Sequence, residues 1–150
     1  MFDTIAGLPV HPLVVHAVVV LLPLMAVVTV AVAVRPSWRR AAGWVVVADA
    51  LVAGCAFVAK ESGERFQQRL GGSQVAHDHA EQGDLLPLFA LALLAAAVVV
   101  LLVRGRRPLV WVAVALAVVT GAAAVGWTVV VGHSGATAVW GSVAGSTSGK

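Results

Sequence analysis

The chain has 150 residues, of which 60% are hydrophobic and 11% are charged, and its mean hydropathy is +0.95. This composition excludes an ordinary soluble domain and predicts a membrane protein. The net charge of +3 at pH 7 would suit nucleic acid, but six of the ten basic residues fall in two short turns between apolar segments. Membrane topology explains basic residues at such places, so we expect no nucleic-acid binding.

Four apolar segments follow one another along the chain, at about residues 12–34, 41–59, 85–103 and 109–131. Each is near the roughly 20 residues that a helix needs to cross the hydrocarbon core of a bilayer. We therefore predict an all-α fold, an integral membrane four-helix bundle that forms a single domain. Residues 61–84 are expected to form an outer loop, and residues 141–150 a flexible tail.

Arginine marks two of the connections between these segments. The first holds Arg35, Arg39 and Arg40, the second holds Arg104, Arg106 and Arg107, and neither contains an acidic residue. The positive-inside rule makes both connections cytoplasmic, which places both termini and residues 61–84 outside. The start Met1-Phe-Asp-Thr has no basic region, so we expect the first segment to stay in place as an N-out span rather than act as a cleaved signal peptide.

The second and fourth segments show an internal repeat. Arg39-Arg40, Trp44 and Gly54 align with Arg106-Arg107, Trp111 and Gly121, among many less informative alanine and valine matches. One interpretation is a duplicated helical hairpin with a pseudo-two-fold axis along the membrane normal. The other is convergence, because a basic turn followed by an interfacial tryptophan recurs in unrelated membrane helices.

All five histidines lie on the side opposite to the arginine turns, and they are His11, His16, His77, His79 and His133. A single histidine near the end of a span usually just bonds a backbone carbonyl. Five on one side favour a binding site, because imidazole is a common ligand of transition metals and of haem iron. His16 lies about 7.5 Å deeper than His11 along a helix.

The other histidines flank the third and fourth segments. His77 and His79 stand in a polar stretch beside Asp78, which could hold a divalent metal or remain solvated. If the third helix begins early, at about residue 76, His79 can point into the bundle. Gly132 could end the fourth helix in a left-handed conformation and turn His133 back over the bundle.

Asp49 is the one carboxylate within an apolar segment, close to the membrane midplane. A carboxylate at this depth is costly and is by default a functional candidate, either paired or carrying a proton. The alternative is a protonated structural group that bonds a neighbouring helix, for example Thr120 or a backbone carbonyl.

A family resemblance rests on four segments: Gly7-Leu-Pro-Val-His-Pro-Leu-Val-Val-His16, Ser62-Gly-Glu-Arg65, His79, and the stretch from Val131 through Gly132-His-Ser-Gly135 to Trp140-Gly141. Over nearly its whole length the chain resembles the bacterial membrane family described as domain of unknown function 2231. The family usually has Phe-Pro after its second histidine, where this chain has Ala17-Val18. The resemblance implies a bacterial plasma membrane protein. It also implies a place in electron transfer, since members are similar to modules joined to Rieske-type or cytochrome c domains.

These observations lead to a hypothesis of an outward-facing histidine site that binds haem b or a transition metal such as copper. His16, His133 and His79 are the expected cofactor ligands, with His11 and His77 as supporting residues or a second metal site. The first alternative is a small proton or metal carrier or channel that uses Asp49. The second is a cofactor-free assembly subunit of a respiratory complex. The sequence shows no hydrolytic or phosphoryl-transfer motif, and a redox role leaves open whether the protein is an enzyme.

Overall fold

A computed structural model gives the fold of the chain. It describes residues 4–5, 8–70 and 74–147, with side chains at 11–65, 77–106, 108–137 and 140. Four helices are long and apolar enough to cross a membrane, over His11–Val34, Pro36–Arg65, His77–Val103 and Pro108–Thr137. The predicted four-helix membrane bundle is therefore confirmed.

The elements follow in chain order. Two-residue strands β1 (Thr4–Ile5) and β2 (Leu8–Pro9) pair antiparallel just before the first helix. The helices are α1 (Val10–Val34), a 3-10 helix (Pro36–Ala41), α2 (Ala42–Leu70), α3 (Gln74–Gly83), α4 (Leu86–Val103) and α5 (Arg107–Thr147). Pro23 lies within α1, and Pro87 lies in the first turn of α4, where its missing N–H leaves no helical bond unmade.

The histidine end of the bundle is more helical than the sequence indicated. The expected loop at 61–84 consists largely of the last turns of α2 and the whole of α3. The expected helix end at Gly132 is wrong, because α5 continues to Thr147. One glycine costs a helix only about 1 kcal/mol, and packing against α3 supports this part of α5. Of the expected tail, residues 148–150 lie outside the described residues.

At the opposite end, which we call the arginine end, side chains close the turn between α1 and α2. The Arg39 guanidinium donates from Nε and Nη2 to the carbonyl of Ala33, at 3.1 and 3.0 Å. The Arg35 guanidinium lies 4.7 Å from the ring centre of Trp38. A cation at the C-terminus of a helix satisfies carbonyls that have no partner within the helix, so these arginines shape the turn as well as carry charge.

The four long helices form a closed ring in which each packs against two neighbours. α1 packs against α2 and α5, and α4 also packs against α2 and α5. α1 and α4 touch each other across the bundle. Exchanging α1 with α4 and α2 with α5 leaves this pattern unchanged, as a pseudo-two-fold axis along the bundle would require.

Many small residues lie in the interior of the bundle beside a few large ones such as Leu22 and Leu93, while the outer faces carry many large ones. Ala42, Ala56, Ala117 and Ala124 are at most 1% exposed, whereas Val27, Leu51 and Val119 are at least 65% exposed. Membrane helices associate by close packing of small side chains, because lipid removes the hydrophobic drive for bringing them together. Exposed valine and leucine are the surface that such a bundle presents to lipid.

The buried positions of the two hairpins match with a constant spacing. α1 buries Val18, Leu22, Met25, Thr29 and Val32, while α4 buries Leu86, Ala90, Leu93, Ala97 and Val100. α2 buries Ala42, Val45, Asp49, Ala53 and Ala56, while α5 buries Val110, Ala113, Ala117, Gly121 and Ala124. Each later position follows its counterpart by 68 residues, as Leu86 follows Val18.

This structural spacing differs by one residue from the alignment of the sequences. The sequence alignment pairs Gly54 with Gly121, but only Gly121 is buried, and its counterpart by burial is Ala53. A shift of one residue turns a helix by about 100°, so the burial pattern determines which positions are equivalent. The two hairpins pack as repeats in the register that burial defines.

The arginine distribution predicts the orientation of the bundle. In a Cys55→Ala background, a cysteine introduced as Ser146→Cys should react with a membrane-impermeant maleimide in intact cells. The matched control is Ser37→Cys in the arginine turn, which should react only after permeabilisation, because basic turns stay in the cytoplasm. The opposite labelling pattern would reverse the orientation and put the histidine end inside the cell.

Candidate functional site

The phase of each helix decides which histidines face the bundle. His11 lies seven residues before the buried Val18, and His79 lies seven residues before the buried Leu86. Seven residues are close to two full turns, so His11 shares the buried face of α1. His79 on α3 and Leu86 on α4 belong to one membrane span, His77–Val103, and keep a similar relation. Both histidines are partly buried in the structure.

His11 is held by the end of α2. Its Nδ1 atom lies 3.1 Å from the carbonyl oxygen of Ala59 and 3.3 Å from Oγ of Ser62. The Ser62 hydroxyl donates to the same Ala59 carbonyl at 3.0 Å. We call this arrangement of imidazole, serine and carbonyl the His11 triangle.

His79 is held in the same way by α5. Its Nδ1 atom lies 2.9 Å from Oγ of Ser134, and its ring also bonds the backbone carbonyl of Val131. The Ser134 hydroxyl donates to that Val131 carbonyl at 3.0 Å. This His79 triangle lies between α3 and α5. It repeats the His11 triangle, which lies between α1 and α2.

The two triangles fix the tautomer of each ring. A carbonyl oxygen only accepts, so Nδ1 of His11 must carry the hydrogen that is donated to Ala59. Since each serine hydroxyl already donates to the carbonyl, its oxygen is the acceptor toward Nδ1. In this tautomer the ring lone pair lies on Nε2, the nitrogen that can bind a metal.

A glycine beside each ring leaves space for the imidazole. A methyl group on Gly63 would lie 2.9 Å from Cε1 of His11, and a methyl group on Gly135 would lie 2.9 Å from Cε1 of His79. Each glycine directly follows the serine of its triangle. Two Ser-Gly pairs on different helices therefore shape equivalent seats for the two imidazoles.

His11 on α1 and His79 on α3 lie at the same end of the bundle, near enough for a charge on the His79 ring to act on His11. The surrounding contacts join α2 to the junction of α3 and α4, where Lys60 pairs with Asp84 at 3.7 Å. The Trp127 indole N–H donates to the carbonyl of Gln82 at 2.9 Å, which joins α5 to the same junction. These contacts hold the four helices together at the histidine end.

The remaining three histidines point away from the bundle. His16 and His133 are exposed, contrary to the expectation that they face inward. Each lies two residues from a buried position, Val18 or Val131, and two residues turn a helix by about 200°. His16 uses Nδ1 to bond the carbonyl of Pro12 in its own helix.

His77 is exposed as well and pairs with Glu81 at 3.4 Å, one helical turn away. Two residues separate His77 from the inward-facing His79, which again puts them on opposite faces of α3. The early start of α3 at Gln74 confirms the condition under which His79 was expected to point inward. Among the side chains that the structure describes, no three histidine, cysteine, aspartate or glutamate residues are grouped so as to hold a metal ion.

Asp49 is buried as expected, but its partner is not Thr120. The Thr29 hydroxyl of α1 donates to Oδ2 of Asp49 at 2.9 Å. Thr120 bonds the carbonyl of Leu116 in its own helix at 2.8 Å. A threonine hydroxyl that bonds the preceding turn of its own helix has no hydrogen left to donate across the bundle.

Comparison with known proteins places the chain in a family. The model of a family described as "Predicted membrane protein (DUF2231)" matches residues 7–148, nearly the whole chain. The chain belongs to this family. Searches of curated proteins and of solved structures gave no match.

The sequence analysis quoted Ser62-Gly63 and Ser134-Gly135 within the segments that carry the family resemblance, but it missed their role in supporting the site. Two signals in the sequence point to them. A Ser-Gly pair follows both the second and the fourth apolar segment, and each inward histidine precedes a buried residue of its membrane span by seven residues. The second signal becomes visible only when the buried face of each helix is known.

The contact between Gly135 and His79 gives a stability prediction. Gly132→Ala should raise the free energy of unfolding by up to about 1 kcal/mol, since nothing lies within 4 Å of the added methyl group. Gly135→Ala brings the same gain in helix propensity but pushes on the imidazole, which costs about 1 kcal/mol in a lost hydrogen bond. Reversible unfolding in mixed micelles would measure both, and equal stabilisation by the two variants would contradict the contact.

Proposed function

We propose that this protein binds haem b between His11 and His79 and serves electron transfer at the outer face of the bacterial plasma membrane. The observation that carries the proposal is the pair of equivalent triangles, each with an N–H on Nδ1 and a lone pair on Nε2. Histidines that bind a metal nearly always donate their other ring N–H to a carbonyl, a carboxylate or water, which fixes the ring and raises its basicity.

The number of ligands favours haem over a bare metal ion. Zinc sites that proteins build alone use three or four side-chain ligands, and copper sites commonly use three. The described residues offer no such group but do offer two partly buried imidazoles at the same end of the bundle, within range of each other's charge. Haem would need only one or two ligands from the protein, and helix-borne histidines that face a bundle interior commonly supply them.

The chain's own residues would position and tune the site. Ala59 and Val131 supply the carbonyls that hold the rings, Ser62 and Ser134 bridge ring and carbonyl, and the two glycines leave room for the imidazoles. A bound haem would supply one-electron chemistry. A site at the histidine end suits exchange with a Rieske-type or cytochrome c-type partner on the outer side, because electron transfer needs the cofactor near the surface where the partner docks.

The first test is the haem content of histidine variants. His11→Ala and His79→Ala should each lower bound haem about tenfold or more, since a buried site has no water ready to replace the lost imidazole. His16→Ala and His133→Ala are matched controls at the same end of the bundle, and His77→Ala controls for the loop. All three control proteins should keep their haem, because these rings face away from the site.

The readout is the absorption spectrum of purified protein, with metal analysis of the same sample. Two bound imidazoles should give a low-spin haem spectrum in the wild type. One copper ion per chain without haem absorption would show that the cofactor is copper and not haem b. Wild-type protein purified after haem supplementation with neither haem nor metal, or equal loss in all five variants, would refute the proposal.

A second test separates this function from the carrier alternative. Asp49→Asn should leave haem content unchanged, because Asp49 lies ten residues before Ala59 along α2, about 15 Å from the histidine level. In liposomes, neither the wild-type protein nor Asp49→Asn should transport metal ions. Saturable metal flux that Asp49→Asn abolishes would favour a carrier over an electron-transfer protein.

A further inference from the structure

Asp49 and Thr29 form a polar pair inside the apolar bundle. Asp49 is 2% exposed and Thr29 is 1% exposed, and the Thr29 hydroxyl donates to Oδ2 of Asp49 at 2.9 Å. The other carboxyl oxygen, Oδ1, is also buried and has no hydrogen-bond partner among the described residues. One half of the carboxyl group is satisfied and the other is not.

Among the side chains that the structure describes, none provides a counter-charge to this carboxyl. α1 contributes the Thr29 hydroxyl and carries its titratable groups, His11 and His16, at the histidine end, and α4, which also packs on α2, has no titratable side chain. The charged groups of the other elements that pack on α2 lie at the two ends of the bundle: Arg39 and Arg40 at the arginine end, and His77, Asp78, His79 and Glu81 of α3 at the histidine end. Arg39 is bonded to the carbonyl of Ala33.

Packing does not require a polar pair at this place. The counterparts of Thr29 and Asp49 in the second hairpin are Ala97 and Ala117, and both are fully buried. The same bundle position is thus filled by two alanines in one half and by threonine and aspartate in the other. The polar pair breaks the repeat at a depth where an ionised carboxylate is costly, so it needs a reason other than packing.

We propose that Asp49 is a proton-binding site within the membrane, at which the carboxylate takes up one proton from water and releases it again. The reaction is the addition of H⁺ to the carboxylate to give the neutral acid, and no electron is transferred. A proton needs only one oxygen, whereas hard cations such as Ca²⁺ and Mg²⁺ take six or more oxygen ligands, and the pair offers only the carboxyl and one hydroxyl.

The proton-binding site has an expected side of access. Asp49 lies seven residues beyond the start of α2 at Ala42, about 10 Å, and about 15 Å below Ala59. The arginine end is therefore the nearer source of protons. This inference is independent of haem, because it depends on Asp49 and Thr29 and not on the histidine triangles.

Infrared spectroscopy of the intact protein in lipid tests the proposal. The difference between wild type and Asp49→Asn should contain the C=O stretch of a protonated carboxylic acid, which appears and disappears as pH is changed and shifts in D₂O. Asparagine keeps an acceptor for the Thr29 hydroxyl, so the variant is expected to fold. Stepwise pH changes in the wild type alone provide the same readout without any variant.

Thr29→Val and Thr128→Val form a matched pair. Both remove a buried hydroxyl, but Thr128 bonds the carbonyl of Ala124 in its own helix. Thr29→Val should move the acid band to higher frequency, because the carboxyl loses a hydrogen-bond donor, and Thr128→Val should leave it in place. A carboxylate that stays ionised at every pH, or that responds to Na⁺ instead of protons, would overturn the proposal. So would an acid band that neither titrates nor exchanges with deuterium.

Discussion

His11, His79 and Asp49 find their partners on the narrow inner face of the bundle, because the outer faces of the helices are covered with valine and leucine that suit lipid. Alanine makes up much of the inner face of α2, α4 and α5, which lets backbones approach closely. Close approach is what brings the carbonyls of Ala59 and Val131 within reach of imidazoles on neighbouring helices. The histidine site thus depends on the same packing that holds the bundle together.

The repeat explains why there are two triangles. α1 brings His11 against the Ser-Gly pair of α2, and α3 brings His79 against the Ser-Gly pair of α5, so both imidazoles lie at the same end of the ring of four helices. The two halves of the site would supply the same kind of ligand, an imidazole, to the haem proposed above. The Asp49–Thr29 pair has alanines as its counterparts, so the two halves diverge at the membrane midplane while they agree at the histidine end.

α5 reaches its histidine-binding carbonyl one helical turn later than α2 does. Val131 follows Ala59 by 72 residues, four more than the spacing of 68 deeper in the bundle. Four residues are close to one helical turn, so the extra length leaves Ser134 and Gly135 on the face that His79 needs. An insertion of one or two residues would have turned that serine away, since each residue rotates the helix by about 100°.

The sequence by itself determined the four spans, their all-helical fold and the end of the bundle that holds the histidines. Hydrophobic length and the placement of arginine and histidine along the chain are local properties, and a membrane leaves few folds compatible with them. The sequence also marked Asp49 as unusual, because a carboxylate within an apolar segment is visible without a structure.

Only the tertiary structure decided which histidines face inward. His11 and His16 differ little in sequence context, and so do His79 and His77. Which of each pair is buried depends on the phase of the inner face, which is set by contacts with three other helices. The end of α5 could not be predicted either, because support from α3 outweighs the local tendency of Gly132 to end a helix. The partner of Asp49 was decided in the same way, since Thr29 lies on another helix and only packing brings it within hydrogen-bond distance.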